Sequence, residues 1–369
     1  NYGWAVVLFT VILKIITLPL DFWQRFSMKK NAKMMSELAP IMAKLDKAYA
    51  NDKNKLNQEK QKLYKKHGYN MLSGCLPMIV TMTIFFVMFG GLNQCSAYVN
   101  LKVYSELSVH YTDTLSAELS KHTEEYESKR YDILLSGKST AIEDYKTWLG
   151  GQGVAESAFD AEISAATSRI SQIKAEAQAE ARKAVGEFYL EAKEGFLWIT
   201  NISRPDTWVE SFPETAEKFT GTLTKKYRAY KDEFDSELYG EIYKGISEQG
   251  VGYKVGDKHW NGLMILPVLS IALSFLSTFI SNKTSKKKNE EEQQLDPNAA
   301  AAQSSNKVMM FVMPVIMGVF GFVYTATFAL YMVCSSLLSI LFTLAMNPII
   351  DRRIAKIESK VEKPDYRRK

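Results

Sequence analysis

Apolar residues in this chain are gathered into long blocks. Trp4 to Leu20 is interrupted by a single charge, Lys14, and Cys75 to Leu92 and Leu263 to Ile280 are 18-residue stretches with none. Val308 to Ile350 runs 43 residues without a charge. At 1.5 Å per helical residue that run reaches about 64 Å, roughly two bilayer cores. Weak breaks near Thr325 and Thr327 divide it into two spans joined by a tight turn. The pattern predicts an all-α polytopic membrane protein with five spans, at 1–20, 75–94, 262–281, 308–327 and 328–347. A wholly soluble protein is excluded.

The segments between the spans carry the charge. Residues 21–74 hold 12 Lys/Arg against 5 Asp/Glu, 282–307 hold 5 against 4, and the tail at 348–369 holds 8 against 4. The 95–261 region is acidic, with 20 against 28. Short basic segments stay in the cytoplasm, which predicts an external N-terminus and a cytoplasmic C-terminus. The chain begins at Asn1 rather than Met, so an upstream segment is expected.

Periodicity places helices outside the spans as well. Met34, Leu38, Ile41, Met42 and Leu45, then Leu56, Leu63 and Tyr64 after a turn at Ala50-Asn51-Asp52, predict a cytoplasmic helical hairpin bent at Pro40. Its lysines, among them Lys29, Lys30, Lys60 and Lys62, join Arg352 and Arg353 of the tail as candidate docking residues for an acidic or nucleic-acid-bearing partner, or for lipid headgroups. The bland alternative is solvated, topology-setting charge. Externally, Phe159, Ile163, Ala166, Ile170, Ile173 and Ala177 form one stripe, and Phe219, Leu223, Tyr227, Phe234, Leu238, Ile242 and Ile246 another. These predict a small antiparallel helical bundle, with a weaker helix around Leu115 to Tyr126. Gly250, Gly252 and Gly256 read as a loop, and 282–307 as disordered.

Catalytic chemistry finds little support. The four histidines are scattered with no metal-ligand spacing, and no phosphate-binding glycine loop occurs. No enzyme, metal or cofactor is expected. Cys75 and Cys95 stand about 30 Å apart on one helix, so they cannot bond each other. Lys14 is the ionisable residue within the spans, and an ammonium there costs roughly 2.5–3.5 kcal/mol on insertion scales. It either meets water in a wet cavity or snorkels toward Asp21 and the headgroups. Thr81, Thr83, Ser270, Ser274 and Ser335, with Thr278 and Ser336, suit a hydrophilic groove, although each alone is more often a packing residue.

Several motifs together resemble the YidC-type membrane protein insertases, relatives of the mitochondrial oxidase-assembly translocase. Asn1-Tyr2-Gly3-Trp4-Ala5 leading to Leu18-Pro19-Leu20 is similar to the family's first core span, where Lys14 occupies the place of a functional arginine. Leu56-Asn57-Gln58-Glu59 through Gly68-Tyr69-Asn70 resembles the hairpin's second arm. Gly74-Cys75-Leu76-Pro77-Met78 with Ile84-Phe85-Phe86 is the most specific match. Gly195-Phe196-Leu197-Trp198-Ile199 with Ser203-Arg204-Pro205-Asp206 resembles a short external motif, and Ile265-Leu266-Pro267, Val312-Met313-Pro314 and Ala329-Leu330-Tyr331 mark the last three spans. Thr81, Thr83 and Met332 stand where the family usually has Gln, Pro and Trp. The family's Pro-Ala-Gly turn is not recognisable before Phe328, and residues 96–194 and 212–260 have no identified counterpart.

The resemblance implies five transmembrane helices around a groove open to the cytoplasm and to lipid, in a bacterial plasma (inner) membrane. Newly made membrane proteins would be the clients, with the Sec translocon and the ribosome as further candidate partners and no DNA. A client's polar tail would enter the groove near Lys14, while its apolar segment slides past Met78, Met82, Phe85, Phe86, Met313 and Met317 into lipid, without nucleotide hydrolysis. The competing readings are a small-solute or ion transporter and a membrane-anchored external binding protein.

Overall fold

The computed structural model describes residues 2–67, 72–125, 132–134, 136–286, 315–316 and 318–358, and they are mostly helical. They fall into two compact units: Asn1–Asn93 with Arg204–Thr207 and Leu263–Lys369, and Gln94–Ser203 with Trp208–Gly262.

The first unit begins with α1 (Tyr2–Ala48), 47 residues that carry the first apolar run straight into the hairpin through Pro19 and Pro40. The turn falls at residues 49–51. Asp52 then caps α2 (Lys53–Lys66), accepting a hydrogen bond from the Lys55 amide at 3.0 Å, which satisfies one of the helix's orphan donors. Buried Leu38 and Met42 hold the two arms together, with Tyr64 donating to the Met42 sulfur.

Helix α3 (Leu72–Glu125) runs for 54 residues, about 81 Å. The separate weak helix expected around Leu115 is the far end of this one. The helix runs through Gly90 and Gly91, and no glycine or proline follows between Leu92 and Glu125, so the backbone ladder continues beyond the apolar stretch. In the first unit, α8 (Ile265–Lys286) and α9 (Ala326–Glu358) pack on each other, and α9 also packs on α1. Residues 318–323 are helical and end at 324–325, where the 43-residue run was expected to turn. Gly318 sits so close to Ile271 of α8 that a Cβ has no room there. Of the segment expected to be disordered, 282–286 continue α8, while 287–307 lie outside the described residues.

Among the described residues three helical stretches are long and apolar enough to cross a membrane: Tyr2–Asn31, Met82–Lys121 and Ala326–Ile357. Ile265–Ile280 is a shorter apolar helix.

The second unit gathers the outer part of α3, α4 (Ala141–Gly151), α5 (Phe159–Ala192), α6 (Ala216–Gly221), α7 (Ser236–Glu248) and a two-stranded hairpin. Its core joins Leu107 and Tyr111 of α3 to Val185 and Tyr189 of α5, Phe212, Phe219, and Tyr239 and Ile242 of α7. The first predicted stripe is one face of α5, with Ala166, Ile170, Ile173 and Ala177 buried. The second is not one helix: α6, a 3-10 turn at Arg228–Glu233 and α7 divide it. Asp235 caps α7 by accepting from the Glu237 and Leu238 amides at 2.8 and 3.1 Å, and so starts a new helix inside the apparent stripe. Helices α5 and α7 touch backbone to backbone at Gly186 and Gly245. The glycine cluster read as a loop instead flanks β1 (Tyr253–Val255) and β2 (Lys258–Trp260), paired antiparallel with Tyr253 opposite Trp260. Strands of three residues are too short to show a period, and the positive φ of Gly252 (117°) and Gly256 (62°) allows the turn.

Candidate functional site

The part of α1 between Gly3 and Asp21 is apolar except at Thr10, Lys14, Thr17 and Asp21, which recur at steps of four, three and four. At 3.6 residues per turn this spacing draws one polar stripe down a helix whose other faces expose Leu8, Ile12, Ile15 and Ile16. The stripe, together with Leu13, forms one wall of a cavity of about 200 Å³, closed by Ile84 and Phe85 of α3 and by Tyr331 and Ser335 of α9. All of these belong to the first unit.

The charge inside the cavity is balanced locally. The Lys14 ammonium lies 2.7 Å from an Asp21 carboxylate oxygen, two turns along the same helix, and both side chains are about one-sixth exposed (15% and 16%). Helical side chains lean toward the N-terminus, so Asp21 leans to meet Lys14 while Lys14 extends against that lean. Lys14 therefore reaches toward the end of the span, as snorkelling requires, yet it does so along the wall of a cavity. No carboxylate of another span meets it; the partner is Asp21 of its own helix, the residue toward which snorkelling was expected to carry it. Arg25, one turn further, also interacts electrostatically with Asp21.

The hydroxyls are satisfied without consuming the pair. Thr10 donates to the Val6 carbonyl at 2.7 Å and Thr17 to the Lys14 carbonyl at 3.2 Å, while Tyr331 hydrogen-bonds Ser335 one turn away.

The predicted groove residues do not all meet here. Lys14 and Ser335 line the cavity. Ser270 is buried and donates to the Pro267 carbonyl, Ser274 lies 3.4 Å from Ser336, and Thr83 is exposed and donates to Ile79. These hydroxyls serve helix packing and self-satisfaction. Of the slide residues, Met82 and Phe86 are exposed on α3, but Phe85 turns into the cavity and meets Phe328 edge-on. The side chains of Thr81 and Met78, and all of Met313 and Met317, lie outside the described residues.

Sequence reasoning named Asp21 only as the direction of snorkelling and Tyr331 only as part of a motif, and it passed over Thr10 and Thr17. The 10-14-17-21 spacing was the available signal.

The candidate docking residues also separate. Lys30 and Arg352 are exposed. Lys60 is buried against Asp46 at 2.7 Å, inside the hairpin. Lys62 pairs with Glu59, whose hydrogen bond raises its pKa above the ordinary lysine value. Lys29 meets Asp351 at 2.9 Å, and Arg353 lies over the Phe22 ring, so these two join α1 to α9.

The short motif that ends at Asp206 has a structural role. Asp206 is fully buried, and its two oxygens accept from the Leu263 and Leu266 amides at 2.9 and 2.8 Å, capping α8. The Arg204 carbonyl accepts from the Ala326 amide at 2.8 Å, at the start of α9. One tetrapeptide thereby fixes the first turns of two apolar helices. In the second unit, Leu197 adopts φ 55° between the bridged residues Phe196 and Ile199.

Comparison with known proteins places this arrangement. The sequence profile of the family described as 60Kd inner membrane protein matches residues 1–135 and 183–353. That span takes in most of the external residues that the motif resemblance left without a counterpart, and leaves unmatched only 136–182 between its two parts. The protein named membrane protein insertase YidC of Helicobacter pylori is 43% identical over 89 residues, 24% of this chain and 16% of that protein. The one of Fusobacterium nucleatum is 42% identical over 94 residues, 26% of this chain and 44% of that protein. The one of Leptospira interrogans serovar Lai is 33% identical over 117 residues, 30% of this chain and 18% of that protein. The chain spans less than half the length of each of these relatives. No solved structure matches it. With the profile laid over most of its residues, including every element that lines the cavity, this chain belongs to the 60Kd inner membrane protein family.

Proposed function

We propose that the protein is a membrane protein insertase of the bacterial plasma membrane. It accepts the short polar tail of a newly made client beside Lys14 and releases the client's apolar segment into lipid. The observation that carries this reading is a polar, ion-paired cavity among helices that otherwise present apolar side chains, in a chain whose named relatives are insertases. A hydrated cavity shortens the barrier to a polar tail, and burial of about 20 apolar residues in the bilayer supplies the driving force, so no nucleotide is required. Five spans enclose the groove, with the N-terminus outside and the hairpin and tail in the cytoplasm. Lys30 and Arg352 are the exposed cations best placed to meet ribosomal phosphates, and the Sec translocon is a further candidate partner.

Photocrosslinking tests the reading. A photoreactive residue at Thr17 or Ser335 should trap client tails during synthesis, and one at Trp4 should trap lipid. Capture of clients only from lipid-facing positions, with none from the cavity, would refute the groove route.

A further inference from the structure

The cavity's one lysine is already matched by a carboxylate of its own helix, and this has a consequence for which clients it serves. We propose that Asp21 is the charge-selectivity residue of the cavity: it holds Lys14 neutralised at rest and yields the ammonium to an acidic client tail. The inference rests on the insertase reading above.

The geometry supports an exchangeable pair. At 2.7 Å the contact is a charge-assisted hydrogen bond, but it spans two helical turns and keeps Lys14 extended. Both groups border open cavity volume instead of being enclosed, so an incoming carboxylate can reach the ammonium from the cavity side. Arg25 stands four residues beyond Asp21 on the same helix, the spacing at which a guanidinium can take up a displaced carboxylate. The cost of exchange is therefore lower than that of stranding a buried anion. A cavity of this kind does not favour acidic tails as strongly as a lone lysine would, and it tolerates neutral tails because the resting pair carries no net charge.

Four forms of the full chain order the outcome by the charge at the pair: Asp21→Asn leaves +1, the native pair and Lys14→Ala/Asp21→Asn leave zero, and Lys14→Ala leaves −1. The assay is protease protection in vesicles at matched protein levels. The clients are single-span proteins whose short tails carry Asp and Glu, or Asn and Gln at the same positions. Acidic-tail translocation should rise severalfold in Asp21→Asn, fall severalfold in Lys14→Ala and recover only in part in the double variant, while the neutral tail responds far less than the acidic one in every form. Equal effects on both tails, or an Asp21→Asn variant no better than native on acidic tails, would overturn the proposal.

Native protein gives an independent reading should a variant accumulate poorly: it should move acidic and neutral tails at similar rates, and a strong preference for acidic tails would also overturn the idea. If native vesicles protect no tail of either kind, the insertase reading itself fails and the proposal with it. If tails move but ignore the charge order, only the proposal fails.

Discussion

At the scale of single residues, two carboxylates matter for opposite reasons. Asp206 is buried and accepts two backbone hydrogen bonds, so its contribution is to structure. Asp206→Ala would leave amides at the start of α8 without their acceptor. It should cost about 1–3 kcal/mol, read as a lowered melting temperature in detergent, with Asp206→Asn losing less because one acceptor remains. An unchanged melting temperature would show that the cap is unimportant. Asp21, by contrast, borders the cavity and pairs with a lysine, so its contribution is to charge. Lys14→Arg should retain function because it keeps the charge, although the planar guanidinium pairs differently. Lys14→Glu should do worse than Lys14→Ala, since it sets two carboxylates on one stripe of α1. Tail protection at matched protein levels checks the order, and equal activity for Arg, Ala and Glu at position 14 would contradict it.

Between elements, close approach decides what can be changed. Where α5 and α7 meet, a Cβ on Gly245 would collide with the Arg182 carbonyl, a backbone atom that cannot swing aside. Gly245→Ala should destabilise the second unit by about 1–3 kcal/mol, the usual penalty for overpacking, while Gly240→Ala, where nothing lies nearby, should be neutral or mildly stabilising. Comparison of the two variants by thermal unfolding separates packing from helix propensity. The cations of the hairpin and of α9 divide in the same way. Lys60→Ala strands Asp46 within the hairpin and should lower stability, whereas Lys30→Glu and Arg352→Glu should spare stability and weaken ribosome co-sedimentation, most clearly at low salt. Loss of co-sedimentation in Lys60→Ala alone would reverse that assignment.

At the scale of the whole molecule, residues 97–193 share a core with residues that follow them. The outer part of α3 and the last turns of α5 build a shared core with Phe219 and Tyr239, so removing 97–193 would expose that core's remaining apolar residues. Residues 136–182 are different. They fall in the gap of the family match and hold a satellite cluster of Tyr145, Leu149 and Ala166 with its own packing partners. Replacing 136–182 by a short linker should leave membrane accumulation and client insertion largely intact, whereas deletion of 97–193 should reduce accumulation sharply. Quantitative blotting of membranes, with complementation of insertase-depleted cells, checks both. Complete loss of activity at normal levels for the smaller deletion would assign that cluster a direct role.

Sequence alone determined the elements whose cause is local. Long uncharged apolar runs favour helices, and the apolar stripe of α5 and the turn before Asp52 follow from spacing and capping chemistry within a few residues. Lys14 stood out on the same ground, as a charge where charge is costly. The partner of Lys14 was also in the sequence, but only as the last step of a stripe whose meaning needs the cavity that α3 and α9 complete. Tertiary structure decided the rest. It turned Phe85 inward and left Phe86 outward, gave Ser270 and Ser274 to helix packing, drew Lys29 and Arg353 into the contact between α1 and α9, and made Asp206 a clasp for a helix 57 residues away in sequence. These outcomes depend on which faces meet across long separations. Residue type and period leave that open, because a hydroxyl, a lysine or a phenylalanine suits several surroundings equally well until a neighbour arrives.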